Sequence, residues 1–263
     1  MRIALGIEYD GSRFHGWQTQ PDGNTVQDVL QAALHQIAGV PAALTCAGRT
    51  DAGVHAREQV VHFDVEVERP ESAWLRGVNA LLPQSVAVLW ARRVPEEFHA
   101  RYGALERSYR YVLISRPVRP ALAARYAGWT HSSLDVEAMR EASRYLTGRH
   151  DFSSFRSSEC QAKSPVRDLH HLSLEREGER IDFRFSANAF LHHMVRNIVG
   201  SLVQVGKGAR APEWLREVRD ARDRRLAAQT AAPQGLYLES VRYEERWGLP
   251  SASGAPLPLA IEP

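Results

Sequence analysis

The order in which strand-like and helix-like segments alternate is the feature that most constrains the fold of this chain. Hydrophobic periodicity over residues 1–103 predicts a strand, a helix, two strands, a helix and a strand. The segments lie at 2–9, 25–38, 43–47, 59–67, 72–81 and 86–94. Asn24 or Thr25 is expected to cap the first helix. This βαββαβ order is the split unit of ferredoxin-like folds.

Residues 104–247 repeat the plan with a longer helical insertion. The predicted elements are a strand at 107–115, a helix at 135–146, a hairpin turning at Glu177-Gly178, a helix at 189–205, two short helices within 212–231 and a strand at 236–244. We therefore predict an α+β protein made of two ferredoxin-like (βαββαβ-type) halves. Their antiparallel sheets are expected to lie side by side around a central active-site cleft. The Pro-rich residues 248–263 are predicted to form a surface tail.

One loop carries an unusual combination of charge and glycine. The stretch "CAGRTDAGVHA" places Arg49 and Asp51 between Gly48 and Gly53. Glycine suits positions that need a positive φ or a close ligand. An aspartate here is compatible with a turn that it stabilises by its own hydrogen bonds, or with a reaction centre. The loop alone does not decide between the two.

The helix "NAFLHHMVRNIVGSLVQVG" supplies a candidate partner for Asp51. Its apolar stripe is expected to pack on the sheet, and Arg196 falls among valines on a second stripe. Arg196 either extends its head into water or pairs with an anion. In the second case, Asp51 is the candidate.

Two tyrosines share one face of the strand "ERSYRYVLI". Tyr111 is expected in the core, whereas Tyr109, nearer the strand end, is either a core residue or a ring presented to a planar ligand.

Composition narrows the class of protein. Hydrophobic residues make up 44% of the 263 residues, and the net charge is +2. No apolar run approaches the roughly 18 residues of a membrane span, and the first residues form no signal peptide, so we expect a cytoplasmic protein. All but two of the 33 basic residues are arginines, a side chain suited to phosphate, although codon preference explains much of this. No metal spacing and no cofactor motif is present.

Six segments together resemble the bacterial tRNA pseudouridine synthase A family. They are "YDGSRFHGWQTQ" (9–20), "AGRTDAGVHA" (47–56), "FHARYGALERSYRYVL" (98–113), "CQAKSPVRDL" (160–169), "NAFLHHMVRNIVGSLVQVGKG" (188–208) and "PQGLYL" (233–238). The match runs in order over about residues 2–245. It implies a homodimer without metal or other cofactor that converts uridines 38, 39 and 40 of the tRNA anticodon arm to pseudouridine.

The resemblance also implies roles for five residues. Asp51 matches the nucleophile, and Arg196 the arginine that pairs with it. Tyr109 matches the tyrosine that stacks on the substrate, Arg49 the loop arginine that helps to extrude the base, and Leu236 the apolar contact to uracil. A non-catalytic protein that binds structured RNA is the alternative function, and an N-glycoside hydrolase is a third.

Overall fold

The computed structural model describes residues 1–250, and their contacts form two compact units. One unit comprises residues 1–106 and 237–250, and the other comprises residues 107–236. Both combine strands with helices, as the α+β class requires. Most of the predicted tail, residues 251–263, lies outside the described residues. Among the helices of residues 1–250, none is long and apolar enough to cross a membrane.

The first unit follows the predicted order of elements. These are β1 (Arg2–Tyr9), α1 (Val26–Ala38), β2 (Thr45–Cys46), β3 (His55–Asp64), a π-helical turn (Ala73–Gly77) that continues into α2 (Val78–Leu81), and β4 (Val86–Val94). Strand β1 pairs antiparallel with both β3 and β4, and β2 pairs antiparallel with β3.

Local sequence explains the bounds of α1. The Thr25 side chain accepts a hydrogen bond from the Asp28 N–H at 3.2 Å, so Thr25 is the cap. Gly39 ends the helix with φ +76°, a conformation that costs glycine little. Between these ends, α1 buries an apolar face that includes Leu30 and Leu34.

The second unit contains the longer strands. Its elements are β5 (Glu106–Ser115), β6 (Gly128–Thr130), α3 (Val136–Arg144), β7 (Gly148–Asp151), β8 (Val166–Glu177), β9 (Arg180–Ala187), α4 (Met194–Gly206) and α5 (Trp214–Ala221). The hairpin of β8 and β9 turns where predicted, and β9 continues to β5 in antiparallel pairing. Strands β6 and β7 were not predicted, because each is too short to show an alternating pattern.

The expectation of purely antiparallel sheets is wrong for two strand pairs. The last strand, β10 (Leu236–Arg242), pairs parallel with β3, placing Tyr237 opposite His55. Strand β6 pairs parallel with β5. Both strands follow long irregular connections, so no tight hairpin imposes an antiparallel direction on them.

The helix predicted from residue 189 begins five residues later. His193 precedes α4 with φ +64° and ψ +1°, a left-handed conformation that interrupts helical geometry. The predicted apolar stripe is nevertheless correct: Met194, Ile198 and Leu202 are fully buried.

A buried histidine on β3 makes the stability of the first unit depend on pH. Burial, and to a smaller extent the charges of Arg2 and His99, lowers the pKa of His62 to about 4, although Asp64 opposes the shift. The ring Nδ1 accepts the Ala100 N–H at 3.1 Å. The unfolded chain protonates such a ring near pH 6.5. Between pH 6.5 and about 4 the unfolded state therefore binds more protons, and stability falls as the pH falls.

We expect His62→Gln to flatten this dependence. Between about pH 7 and about pH 4.5, the wild type should lose on the order of 2 kcal/mol more of its unfolding free energy than the variant. Urea denaturation across that range measures the difference, with His35→Gln as the same change at an exposed position. Parallel pH profiles for His62→Gln and the wild type would contradict this account.

Candidate active site

Asp51 lies in the loop between β2 and β3, and buried neighbours hold that loop in place. The Tyr9 hydroxyl and the Thr50 hydroxyl form a buried hydrogen bond of 2.7 Å. Trp17 N–H donates to the Thr50 carbonyl at 3.0 Å, and Val54 N–H donates to the Asp51 carbonyl at 3.1 Å. Asp51 itself is half-buried, so a fixed backbone presents a partly accessible carboxylate.

Two glycines outside the loop let the chain approach it closely. A Cβ on Gly11 would lie 1.9 Å from the Val54 carbonyl oxygen, and one on Gly16 would lie 2.8 Å from the Thr50 carbonyl oxygen. Gly16 also has φ +94°. The segment "YDGSRFHGW" therefore packs its backbone directly against the Asp51 loop. Sequence reasoning missed these supporting residues, although the glycine spacing in that segment was a signal.

The two glycines that bracket the loop have different roles. Gly53 adopts φ +77°, so it supplies the positive φ that we expected. Gly48 instead exchanges two hydrogen bonds with the Gln59 side chain, which accepts the Gly48 N–H at 3.3 Å and donates to its carbonyl. Gln59 is fully buried, so the start of the loop is tied to the core of β3.

Arg49 is exposed at the surface of the first unit. Its charge and that of Arg101 act on the nearby Cys46 thiol, but burial dominates and raises the pKa of Cys46 to about 12. Cys46 is thus a protonated thiol that takes no part in nucleophilic chemistry at neutral pH. Asp51 remains the nucleophile candidate in this loop.

Tyr109 lies on β5 in the second unit, where only 8% of its surface is exposed. It is paired across the strands with Phe185, and its ring meets Phe190 edge to face at 5.0 Å. This burial is compatible with a core residue. Because a small part of the Tyr109 side chain is still accessible, contact of its ring with a planar ligand remains the other hypothesis.

Tyr111 and Arg196 hold the segment that leads into β10. The Tyr111 hydroxyl donates to the Ala232 carbonyl at 2.9 Å, and Arg196 Nε donates to the Ala231 carbonyl at 2.8 Å. Burial raises the pKa of the Tyr111 phenol, and the Arg196 charge opposes that effect. The half-buried Arg196 therefore has a structural contact besides any catalytic one.

Asn197 on α4 binds the same segment, the chain that leads into β10, through side-chain hydrogen bonds. Its side chain is fully buried, donates to the Phe155 carbonyl at 2.8 Å, and accepts from Thr230 at 2.7 Å and Arg224 at 3.0 Å. Leu236, which follows this segment, is 6% exposed. Contacts with α4 thus hold the chain that leads to Leu236, and sequence reasoning did not identify them.

Two arginines of β5 are structural. Arg110 makes a buried two-point contact with Asp182, through Nε at 3.1 Å and Nη2 at 2.9 Å. Arg107, 8% exposed, donates to the Asn188 carbonyl at 2.8 Å. Both guanidinium groups therefore bind partners inside the second unit, and the sequence alone did not predict these contacts.

The five candidate residues thus divide between the units. Asp51 and Arg49 belong to the first, while Tyr109, Arg196 and Leu236 belong to the second. The pairing of Asp51 with Arg196 stays a prediction.

Comparison with known proteins identifies the family. A model described as tRNA pseudouridine synthase matches residues 6–103 and 142–244. This chain belongs to the tRNA pseudouridine synthase family. The tRNA pseudouridine synthase A of Chromobacterium violaceum is 60% identical over 252 residues, 95% of this chain and 96% of the relative. That of Dechloromonas aromatica is 56% identical over 250 residues, 95% of each.

Four of the five candidate residues fall within the segments matched to the tRNA pseudouridine synthase family, and Tyr109 falls between them. Among solved structures, the crystal structure of a Cbf5-Nop10-Gar1 complex is similar with a TM-score of 0.35 and 13% identity. That likeness covers 76% of this chain and 45% of the other.

Proposed function

We propose that this chain isomerises uridine to pseudouridine in tRNA, at positions 38, 39 and 40 of the anticodon stem-loop. Membership of the tRNA pseudouridine synthase family supports the reaction. The observation that carries the proposal is the Asp51 loop, where a half-buried carboxylate sits on a backbone fixed by Thr50, Gly11 and Gly16. A rigid element of this kind positions a reactive group well.

The chemistry explains why a carboxylate is required. Pseudouridine formation breaks the bond between uracil and C1′ of the ribose, turns the base, and joins C5 to C1′. No atom is gained or lost. A carboxylate at C1′ or at uracil C6 acts as nucleophile, or it supports a glycal route as an anion. The base must also leave the helical stem, which costs a few kcal/mol.

Each candidate residue then has a role. Asp51 attacks or stabilises the reacting sugar, and Arg196 pairs with it. Arg49 helps to displace the target base, which fits its exposed position. Tyr109 stacks on uracil and Leu236 contacts its apolar edge. We propose that these groups meet in a cleft between two ferredoxin-like halves, 1–103 and 104–247.

Two further properties belong to the proposal. A single subunit of 29.5 kDa with net charge +2 offers little basic surface to a tRNA, so we propose a homodimer that builds arginine-lined grooves. Light scattering at micromolar concentration measures its mass. A tRNA substrate also favours a cytoplasmic location.

Mapping pseudouridine in tRNA treated with the pure protein tests the function. Release of tritium from uridine labelled at C5 accompanies isomerisation, whereas a protein that only binds RNA releases none. An N-glycoside hydrolase would instead leave free uracil. Intact tRNA that keeps its tritium label and its uridines would contradict the proposal.

Tyr109 gives a direct test of base stacking. Because stacking of an aromatic ring on a base contributes about 1–3 kcal/mol, we expect Tyr109→Leu to lose roughly tenfold to a hundredfold in kcat/KM while tRNA affinity is mostly kept. Tyr109→Phe retains the ring and its contact with Phe190, and is the matched control for packing. Wild-type activity in Tyr109→Leu would return this residue to a core role.

A further inference from the structure

An open cavity in the second unit has a basic lining that the proposed reaction does not use. Its volume is about 590 Å³, and its lining includes Arg156, Arg222, Arg224 and His193. Hydroxyl groups complete the lining, among them that of Thr230. Guanidinium and hydroxyl donors around an open cavity are the groups that bind phosphate oxygens.

Two of the arginines keep their charge uncompensated. Arg224 donates to the Ala227 carbonyl at 3.2 Å and to the side chains of Asn197 and Thr230, all neutral acceptors. Burial lowers the pKa of Arg224. Arg156 donates to the Ala162 carbonyl at 2.9 Å. Within residues 1–250, neither guanidinium forms an ion pair with a carboxylate.

The carboxylates near the cavity do little to cancel this charge. Asp223 also lines the cavity, but Arg225 binds both of its oxygens, with Nε at 3.0 Å from each. Arg222 approaches Asp151 only at 3.5 Å, and 68% of its side chain is exposed. The lining therefore retains an excess of positive charge.

Backbone strain points to the same cavity. Within residues 1–250, the non-glycine residues with positive φ are His193 at +64° and Arg222 at +51°, and both line the cavity. Arg222 follows α5 at the position where helices usually place glycine. His193 precedes α4, whose first N–H groups have no side-chain cap and favour an anion. Strained residues of this kind cluster at ligand sites.

We propose that this cavity binds a backbone phosphate of the RNA substrate through Arg156, Arg222 and Arg224. The proposal rests on the proposed function, because that function supplies the RNA. Arg156 and Arg224 are held by the surrounding backbone, whereas the exposed Arg222 completes the site from the end of α5. The strained conformation of Arg222 directs its side chain at the cost of local stability.

Three variants test the assignment. We expect Arg222→Gln to weaken tRNA binding and to reduce the slope of log K against log salt by about one, with kcat at saturating tRNA unchanged. Arg222→Gly should weaken binding equally and raise Tm, because it also relieves the strain. Arg246→Gln is the control, since 66% of its side chain is exposed and it does not line the cavity.

Binding of a tRNA transcript, measured by filter retention at several salt concentrations, decides the matter. Identical slopes for Arg222→Gln and Arg246→Gln would overturn the proposal. A second result would also overturn it: inorganic phosphate alone protects Arg222 of the wild type from chemical modification, while the salt slope of RNA binding is the same in Arg222→Gln as in the wild type. That result would assign the cavity to a free anion. Failure of the proposed function appears separately, as tRNA that the wild type binds without forming pseudouridine.

Discussion

Asp51→Asn is expected to abolish pseudouridine formation while the protein stays folded and still binds tRNA. The amide keeps the size of the carboxylate and is equally suited to a turn, so the hydrogen bonds of Thr50, Val54 and Trp17 around the loop should survive. It has no negative charge and almost no nucleophilicity. By analogy with other nucleophiles, turnover should fall by about four to six orders of magnitude.

The measurement is pseudouridine mapping together with thermal unfolding of the same preparation. If Asp51 only shapes the loop, Asp51→Asn should turn over almost normally, and this result would refute the mechanism. Deamidation back to Asp has to be excluded by mass spectrometry, because a small fraction of wild-type protein would mimic residual activity. Persistent tRNA binding separates a chemical defect from a binding defect.

Arg196 extends this test to the predicted pair. Removing Arg196 from the wild type should reduce both activity and stability, since Arg196 also donates to the Ala231 carbonyl. Removing it from Asp51→Asn should cost less if the two side chains interact, and a double-mutant cycle measures the coupling. A coupling energy of zero would show that the two residues do not meet.

Regular elements with strong local signals were predictable from the sequence. Thr25 and Asp28 define the start of α1 by capping, and Gly39 defines its end. The Glu177-Gly178 turn joins two long strands with alternating patterns. In each case, the deciding interactions lie within a few residues, so a local reading is sufficient.

Features that depend on distant residues were not predictable. The parallel pairing of β10 with β3 joins segments about 180 residues apart in sequence, and no local pattern encodes its direction. The left-handed His193 displaced the start of α4, although its neighbours read as helix. Arg110 is one of the many arginines whose side chains suit phosphate, yet Asp182 on β9 holds it in the interior.

The candidate site shows the same division. The compact loop motif makes Asp51 a candidate from the sequence and predicts the positive φ that Gly53 adopts. The groups that hold the loop, Tyr9, Gly11 and Gly16, come from a segment some 40 residues earlier. Only the fold shows that their backbone lies against the loop, so their contribution appears with the structure.

Gly11→Ala is expected to damage the site without changing any reacting group. The new Cβ would lie 1.9 Å from the Val54 carbonyl oxygen and 2.6 Å from its carbon, both backbone atoms that no side-chain rotation can move. Val54 is buried and its N–H donates to the Asp51 carbonyl, so the displacement passes to Asp51. A shift of about 1 Å costs roughly a hundredfold in rate, and the overpacking costs about 1–3 kcal/mol of unfolding free energy.

Gly77→Ala is the matched control for that substitution. Its Cβ would meet only the flexible side chain of Ile37, with Cδ1 at 3.0 Å and Cγ1 at 3.8 Å, and alanine suits the helical backbone there. We therefore expect Gly77→Ala to keep wild-type kcat and to change stability by less than about 1 kcal/mol. Gly11→Ala should lower kcat under conditions where calorimetry shows it fully folded. The contrary result is a Gly11→Ala variant that is less stable but has the same kcat as Gly77→Ala. The close contact of Gly11 with Val54 would then serve folding alone, and our inference that this segment positions Asp51 would be wrong.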